Sequence, residues 1–209
     1  MGLFITFEGI EGCGKSTQAR LLHQRLRREL GPQRVLLTKE PGGTAMGERV
    51  RDLLQHQSHP LTPLAELFLF EAARAQLVEQ VLQPRLAQGH AVVCDRFADS
   101  SIAYQGYGRR LGAALVRQLN KQATRGLTPN LTVLLDIPVE AGFQRKGGQS
   151  LDRIEREERA FHERVRAGYL KLARAEPGRW LLLDGQQAIE ALQEQIWRRV
   201  RPLLEKATR

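Results

Sequence analysis

The sequence predicts an α/β fold in which helices flank a parallel five-stranded sheet, and three observations carry that expectation. A strand-like run, Leu3-Phe4-Ile5-Thr6-Phe7, leads into Gly9-Ile10-Glu11-Gly12-Cys13-Gly14-Lys15-Ser16, which fits the phosphate-loop pattern G-x-x-x-x-G-K-[ST]. Short apolar strands alternate with helical periodicity along the chain. Two of the strands, Ala91-Val92-Val93-Cys94 and Leu131-Thr132-Val133-Leu134-Leu135, read as continuous apolar runs, as central parallel strands covered on both faces do.

The expected strands are Leu3–Phe7, Arg34–Thr38, Ala91–Cys94, Leu131–Asp136 and Trp180–Asp184. Helical patterns fill the gaps: Lys15–Leu30, Ala45–Gln55, Leu64–Gln88, Ala113–Arg125, Val139–Lys146, Arg153–Ala175 and Ala188–Glu205. The first carries Leu21, Leu22, Leu26 and Leu30 at helical spacing. Pro63 and Pro138 sit near helix starts, and Gly31 and Gly89 follow helix ends. No internal repeat or linker divides the chain, so residues 1–209 are expected to form a single domain. Lys146-Gly147-Gly148-Gln149-Ser150, flanked by Arg145, Arg153 and Arg156, reads either as an exposed loop or as a small lid around 145–156 closing over phosphates.

No apolar run is long enough to cross a membrane, and the N-terminus lacks a signal-peptide pattern. The two cysteines, Cys13 and Cys94, lie far apart, which argues against a structural disulfide and for the cytoplasm. The net charge of +9 comes mostly from arginine. It suggests either nucleic acid or a surface rich in arginine around a multi-phosphate site. With no basic tail and no basic strip interleaved with aromatics, the second reading is preferred and no nucleic-acid partner is expected.

The chemistry concentrates in five segments. In the phosphate loop, glycines let backbone N–H groups converge on phosphate oxygens, Lys15 reaches the β- and γ-phosphates, and the Ser16 hydroxyl can ligate Mg²⁺. The helix that follows presents its positive end to the same anion. Asp95-Arg96 closes the third strand, where an open α/β sheet binds ligands; the carboxylate can hold Mg²⁺ and the guanidinium can fork onto phosphate. Glu40-Pro41-Gly42-Gly43-Thr44, by itself, is only a loop signal. Phe70 and Arg74 share a helix face, as a base-stacking ring and a phosphate partner would, although spacing alone favours a core Phe beside a surface Arg. The polar, glycine-rich stretch Asp99–Arg109 holds Ser100, Ser101, Tyr104 and Gln105, and composition alone leaves it an ordinary loop.

Together these segments resemble the thymidylate kinases of the bacterial type, in family order and over nearly the whole chain: Phe7-Glu8-Gly9 through Ser16-Thr17, Glu40-Pro41-Gly42-Gly43-Thr44, Phe70–Arg74, Asp95-Arg96-Phe97, Ser100-Ser101, Tyr104-Gln105-Gly106, and Pro129-Asn130-Leu131-Thr132 before a Leu-Leu-Asp strand. The resemblance implies a P-loop nucleoside monophosphate kinase fold. It implies that Gly9 through Thr17 hold ATP, with Lys15 on the transferred group and Ser16 on Mg²⁺. Phe70 would stack on thymine, Arg74 would help bind the pyrimidine, and Arg51 and Arg96 would grip the acceptor monophosphate. Ser101 and Gln105 would contact the base, with Ser100 beside them, and Tyr104 would crowd the sugar 2′ position. Glu8 and Asp95 would organise the metal and the acceptor phosphate, and Glu40-Pro41 would shape the pocket. Some relatives carry an arginine at the position of Gly12. The resemblance implies that its role passes to the lid, with Arg153 preferred over Arg145, Lys146 and Arg156. It also implies a homodimer through helices on one face, including Ala65–Leu82.

The expected reaction is phosphorylation of dTMP to dTDP by ATP–Mg²⁺, a step toward dTTP for DNA replication. The alternative within the class is a kinase for another nucleoside or deoxynucleoside monophosphate. A nucleic-acid-dependent ATPase lacks a second sensor region here. A GTPase lacks N-K-x-D, since Asn120-Lys121-Gln122-Ala123 breaks that pattern at its last position.

Overall fold

The computed structural model describes residues 2–56, 60–147 and 152–207. Strands β1 (Leu3–Glu8), β2 (Val35–Lys39), β3 (Ala91–Asp95), β4 (Leu131–Asp136) and β5 (Trp180–Asp184) form a parallel sheet of order β2-β3-β1-β4-β5. The central strands β1, β3 and β4 are almost wholly buried, whereas edge strands β2 and β5 mix buried with exposed residues. The difference follows from position: only central strands are covered on both faces.

In chain order the helices are α1 (Lys15–Leu30), α2 (Ala45–His56), α3 (Pro63–Leu77), α4 (Gln83–Ala87), α5 (Ala98–Ser101), α6 (Ala113–Ala123), α7 (Val139–Lys146), α8 (Arg159–Ala175) and α9 (Ile189–Ala207). Leu22 and Leu26 of α1 are fully buried in the larger core cluster with Ile5 and Phe7 of β1. Phe4, just before Ile5, points to the opposite cluster and meets Phe97 edge-on at 5.0 Å. The Thr62 hydroxyl caps α3 by accepting from Ala65 N–H at 3.3 Å, and Pro63 supplies its first turn.

Two expected helices are altered. The pattern over Leu64–Gln88 is interrupted by a wide π-helical turn at Val78–Leu82. Pro84 follows within α4, and its missing N–H removes one regular helical bond near this wider turn. The pattern over Arg153–Ala175 becomes helical only from Arg159. Ahead of it, Asp152 Oδ1 accepts from Ile154 N–H and Glu155 N–H at 2.9 Å each, a local alternative to helical bonding. Smaller shifts place β2 one residue later and end α6 at Ala123, before Arg125 and Gly126 at positive φ.

The register sets Phe7 and Lys39 on either side of Asp95. The strand ends carrying Glu8, Lys39-Glu40, Asp95-Arg96 and Asp136 therefore gather along one edge, the ligand-binding edge of an open parallel sheet. No helix among the described residues is long and apolar enough to cross a membrane.

Candidate active site

The turn between β1 and α1 is the phosphate loop. Gly14, which caps α1, has φ 93° and ψ 7°, a left-handed conformation that glycine enters without strain. Lys15 opens the helix, is 9% exposed, and donates to the Ile10 carbonyl at 3.2 Å. Its charge thus lies within the loop, beside the positive end of α1. Gly9 leads into the loop at φ 138°, Ile10 and Cys13 are buried behind it, and Thr17 lies half-buried on the first turn of α1.

Gly12 meets α7, where a β-carbon on residue 12 would lie 2.4 Å from the Gly142 carbonyl oxygen. Arg145 of α7 donates to the carbonyls of Gly12 at 3.4 Å and Gly185 at 2.9 Å. The loop has no room for an arginine at residue 12, and a cation approaches the same turn from α7.

Ser16 Oγ donates to Asp95 Oδ2, while Asp95 Oδ1 is buried with no hydrogen-bond partner among the described residues. A hydroxyl and a carboxylate with one uncommitted oxygen are hard donors that suit Mg²⁺ shared with water and phosphate oxygens.

A cavity of about 440 Å³ runs from Glu11, Gly12, Lys15 and Ser16 past Asp95 and Arg96. It continues to Glu40, Pro41, Arg51 and Phe70, with Ser100, Ser101, Tyr104 and Gln105 along it. That size suits a small-molecule ligand. Arg96 marks its middle. Its φ of 71° is a strained value for a non-glycine residue. Nη1 donates to Gly9 O and Tyr169 OH at 3.1 Å each, and Nη2 donates to Glu11 at 2.8 Å and Tyr104 OH at 3.0 Å. Burial alone would raise the Glu11 carboxyl, but Arg96 and Lys15 outweigh it and hold the group below its ordinary value. The backbone of Glu11 therefore belongs to the phosphate loop while its side chain faces Arg96 and Tyr104.

Glu8 is fully buried and accepts from Phe97 N–H at 2.8 Å, Ser100 Oγ at 2.6 Å and Tyr169 OH at 2.8 Å. Burial, reinforced by Asp99, pushes its pKa up to about 7 against the pull of Arg96 and these donors. It does not border the cavity but fixes Ser100, which does.

Arg74 is 1% exposed and does not border the cavity either. It pairs with Glu40 and Glu71 at 2.8 Å each and donates to Ser101 Oγ at 3.0 Å and Asn120 Oδ1 at 2.8 Å. The core Phe and surface Arg favoured by spacing are reversed. Phe70 faces the cavity, and Arg74 is the buried anchor that holds Glu40 and Ser101 from behind. Burial raises Glu40 to a pKa of about 7 despite Arg74. The Glu40–Pro41 bond is cis, and the Pro41 carbonyl accepts from Arg51 at 3.0 Å.

The expected lid is placed in part. Gly148-Gln149-Ser150 lies outside the described residues. Lys146 borders the cavity and pairs with Glu155. Arg153 does not border it, and instead donates to Glu66 at 2.6 Å and Leu54 O at 3.1 Å. Residue-level reasoning missed Tyr169 and Glu66. Tyr169 follows Phe161, Val165 and Gly168 at core spacing, and Glu66 sits where first-turn acids favour a helix dipole. Neither pattern signals an inward polar role.

Comparison with known proteins shows the family. The family model for thymidylate kinase matches residues 7–196. A thymidylate kinase from Deinococcus radiodurans is 50% identical over 198 residues, covering 94% of this chain and 95% of that protein. One from Caldanaerobacter subterraneus subsp. tengcongensis is 44% identical over 206 residues, covering 99% and 98%. The crystal structure of thymidylate kinase from Ehrlichia chaffeensis superposes with a TM-score of 0.75 at 37% identity, covering 87% of this chain and 92% of that one. The chain belongs to the thymidylate kinase family, and it is a kinase that phosphorylates dTMP.

Proposed function

We propose that the cavity is where ATP and dTMP meet, with the phosphate loop as the donor half and the Arg51–Phe70–Gln105 side as the acceptor half. The observation that supports this division is Arg96, docked on Gly9 and Glu11 of the loop while bordering the acceptor pocket. An oxygen of the dTMP phosphate bonds to the γ-phosphorus of ATP as the bond to the β–γ bridging oxygen breaks, giving dTDP and ADP. That oxygen is largely ionised at neutral pH, since a phosphate monoester has a second pKa of about 6, so no strong base is needed. The barrier lies in bringing two anions into line.

In this reading Lys15 neutralises the transferred group and Arg96 holds the acceptor phosphate against it, with Arg51 helping. Phe70 stacks on thymine; Ser101 and Gln105 read its edge; Tyr104 closes on the sugar; Arg74 and Glu8 act from behind through Glu40, Ser101 and Ser100. Ser16 and Asp95 would hold Mg²⁺, which supplies charge neutralisation across the phosphates. Residues 145–156 act as a lid, and for Arg153 to serve the transferred group it must leave Glu66. The chain is read as a single cytoplasmic domain that pairs as a homodimer through α3, whose Leu64 and Phe68 are 41% and 51% exposed.

Lys15→Ala tests the division of roles. We expect kcat to fall about 100- to 1,000-fold with little change in KM for dTMP. Near-normal turnover, or a loss confined to dTMP binding, would overturn it.

A further inference from the structure

We infer that Glu66 is a positioning residue that locks the Gln105 side chain with its oxygen toward the acceptor base, so that the pocket takes pyrimidines bearing an N3–H and rejects cytosine. The inference rests on the reading that Gln105 faces the base.

Glu66 is fully buried at the start of α3. Its Oε1 accepts from Gln105 Nε2 at 2.8 Å and Arg109 Nε at 3.2 Å, and its Oε2 from Arg109 Nη2 at 3.1 Å and Arg153 Nη2 at 2.6 Å. A carboxylate only accepts, so the Gln105 atom facing it must be the NH₂ group. The two arginines keep Glu66 ionised, in line with a pKa below the ordinary value: burial raises it, but Arg109, Gln105 and Arg153 outweigh that. Gln105 borders the cavity and is 1% exposed. With Nε2 turned onto Glu66, the carbonyl oxygen Oε1 is the amide atom directed away from it and toward a ligand.

A fixed acceptor discriminates between bases. Thymine and uracil carry a donor at N3; cytosine carries a lone pair there. An acceptor facing cytosine N3 meets repulsion and leaves two buried acceptors unpaired, the arrangement by which polar sites reject the wrong analogue. Were the amide free to flip, its NH₂ could satisfy cytosine equally well. Glu66 removes that freedom without touching the base.

The test compares kcat/KM for dTMP, dUMP and dCMP in the wild type and in Glu66→Gln, whose neutral amide can partner Gln105 in either orientation. We expect the dTMP:dCMP ratio to fall about tenfold or more while the dTMP:dUMP ratio holds, because both of those bases carry N3–H. An equal loss on all three acceptors would mean a merely structural role and overturn the inference. Should Glu66→Gln fail to fold, Glu66→Asp keeps a negative charge among the arginines while drawing the carboxylate back from Gln105. A narrowed dTMP:dCMP ratio there supports the inference and an unchanged one overturns it. Gln105→Leu separates the underlying reading: an unchanged KM for dTMP removes Gln105 from the base pocket and the inference with it, whereas a raised KM beside an unchanged Glu66→Gln ratio removes only the role of Glu66.

Discussion

Gly12 and Gly142 pack backbone to backbone: a β-carbon on Gly12 would lie 2.4 Å from the Gly142 carbonyl oxygen, and one on Gly142 would lie 2.5 Å from that of Glu11. Phosphate loop and α7 approach this closely because neither carries a side chain at the contact. Gly12 also has φ 73°, a value that L-residues adopt with strain. Gly12→Arg adds a cation near the phosphates yet should lower both stability, by about 1–3 kcal/mol, and kcat/KM. Thermal unfolding and steady-state kinetics check this; a variant as stable and active as the wild type would show that α7 yields to the side chain.

The buried triad of Arg74 with Glu40 and Glu71 makes stability depend on pH. Burial raises the Glu40 pKa from 4.5 to about 7, so the folded state holds a proton that the unfolded state releases. The contribution of Glu40 is full below pH 4.5 and is lost as pH rises toward 7. Relative to wild type, Glu40→Gln should therefore gain on the order of 3 kcal/mol across that window. Denaturant unfolding of both proteins from pH 4.5 to 7 measures the difference, and parallel pH profiles would refute the shift.

Asp95→Asn keeps the shape at Ser16 but removes the charge. We expect more Mg²⁺ to be needed for half-maximal rate, while the affinity for dTMP in the absence of metal stays near wild type. A Mg²⁺ titration of the rate, paired with calorimetric dTMP binding in chelator, distinguishes this from general damage. An unchanged Mg²⁺ requirement would remove Asp95 from the metal site.

The exposed Phe68 on α3 bears on assembly. Phe68→Glu should convert a dimer into a monomer without unfolding it, because the side chain is half exposed in the isolated chain. Light scattering after size exclusion reads this directly; a wild-type monomer, or a dimer indifferent to the change, would place the interface elsewhere or nowhere.

The parts of this molecule that could be read from its sequence are those dictated by neighbours along the chain. The periodicity of Leu22 and Leu26, the apolar runs of β3 and β4, and the glycines of the phosphate loop each follow from local geometry, and the structure places them accordingly. What could not be read depends on partners far away. Spacing puts Phe70 and Arg74 on one face but does not say which turns inward. That is decided by Glu40, Ser101 and Asn120, which are 34, 27 and 46 residues distant. The glycines beside Arg153 suggest a lid but do not show that its guanidinium bonds Glu66, 87 residues away. The helix start expected at Arg153 moved to Arg159 because periodicity does not register the side-chain bonds of Asp152 to the backbone.

The most direct measurement is an acceptor panel: the purified full chain with ATP and Mg²⁺, offered dTMP, dUMP, dCMP, UMP and AMP, with formation of each diphosphate followed. We predict the highest kcat/KM for dTMP and stoichiometric ADP and dTDP. A higher value for any other acceptor, or ATP hydrolysis with no acceptor phosphorylated, would contradict the assignment of this cavity.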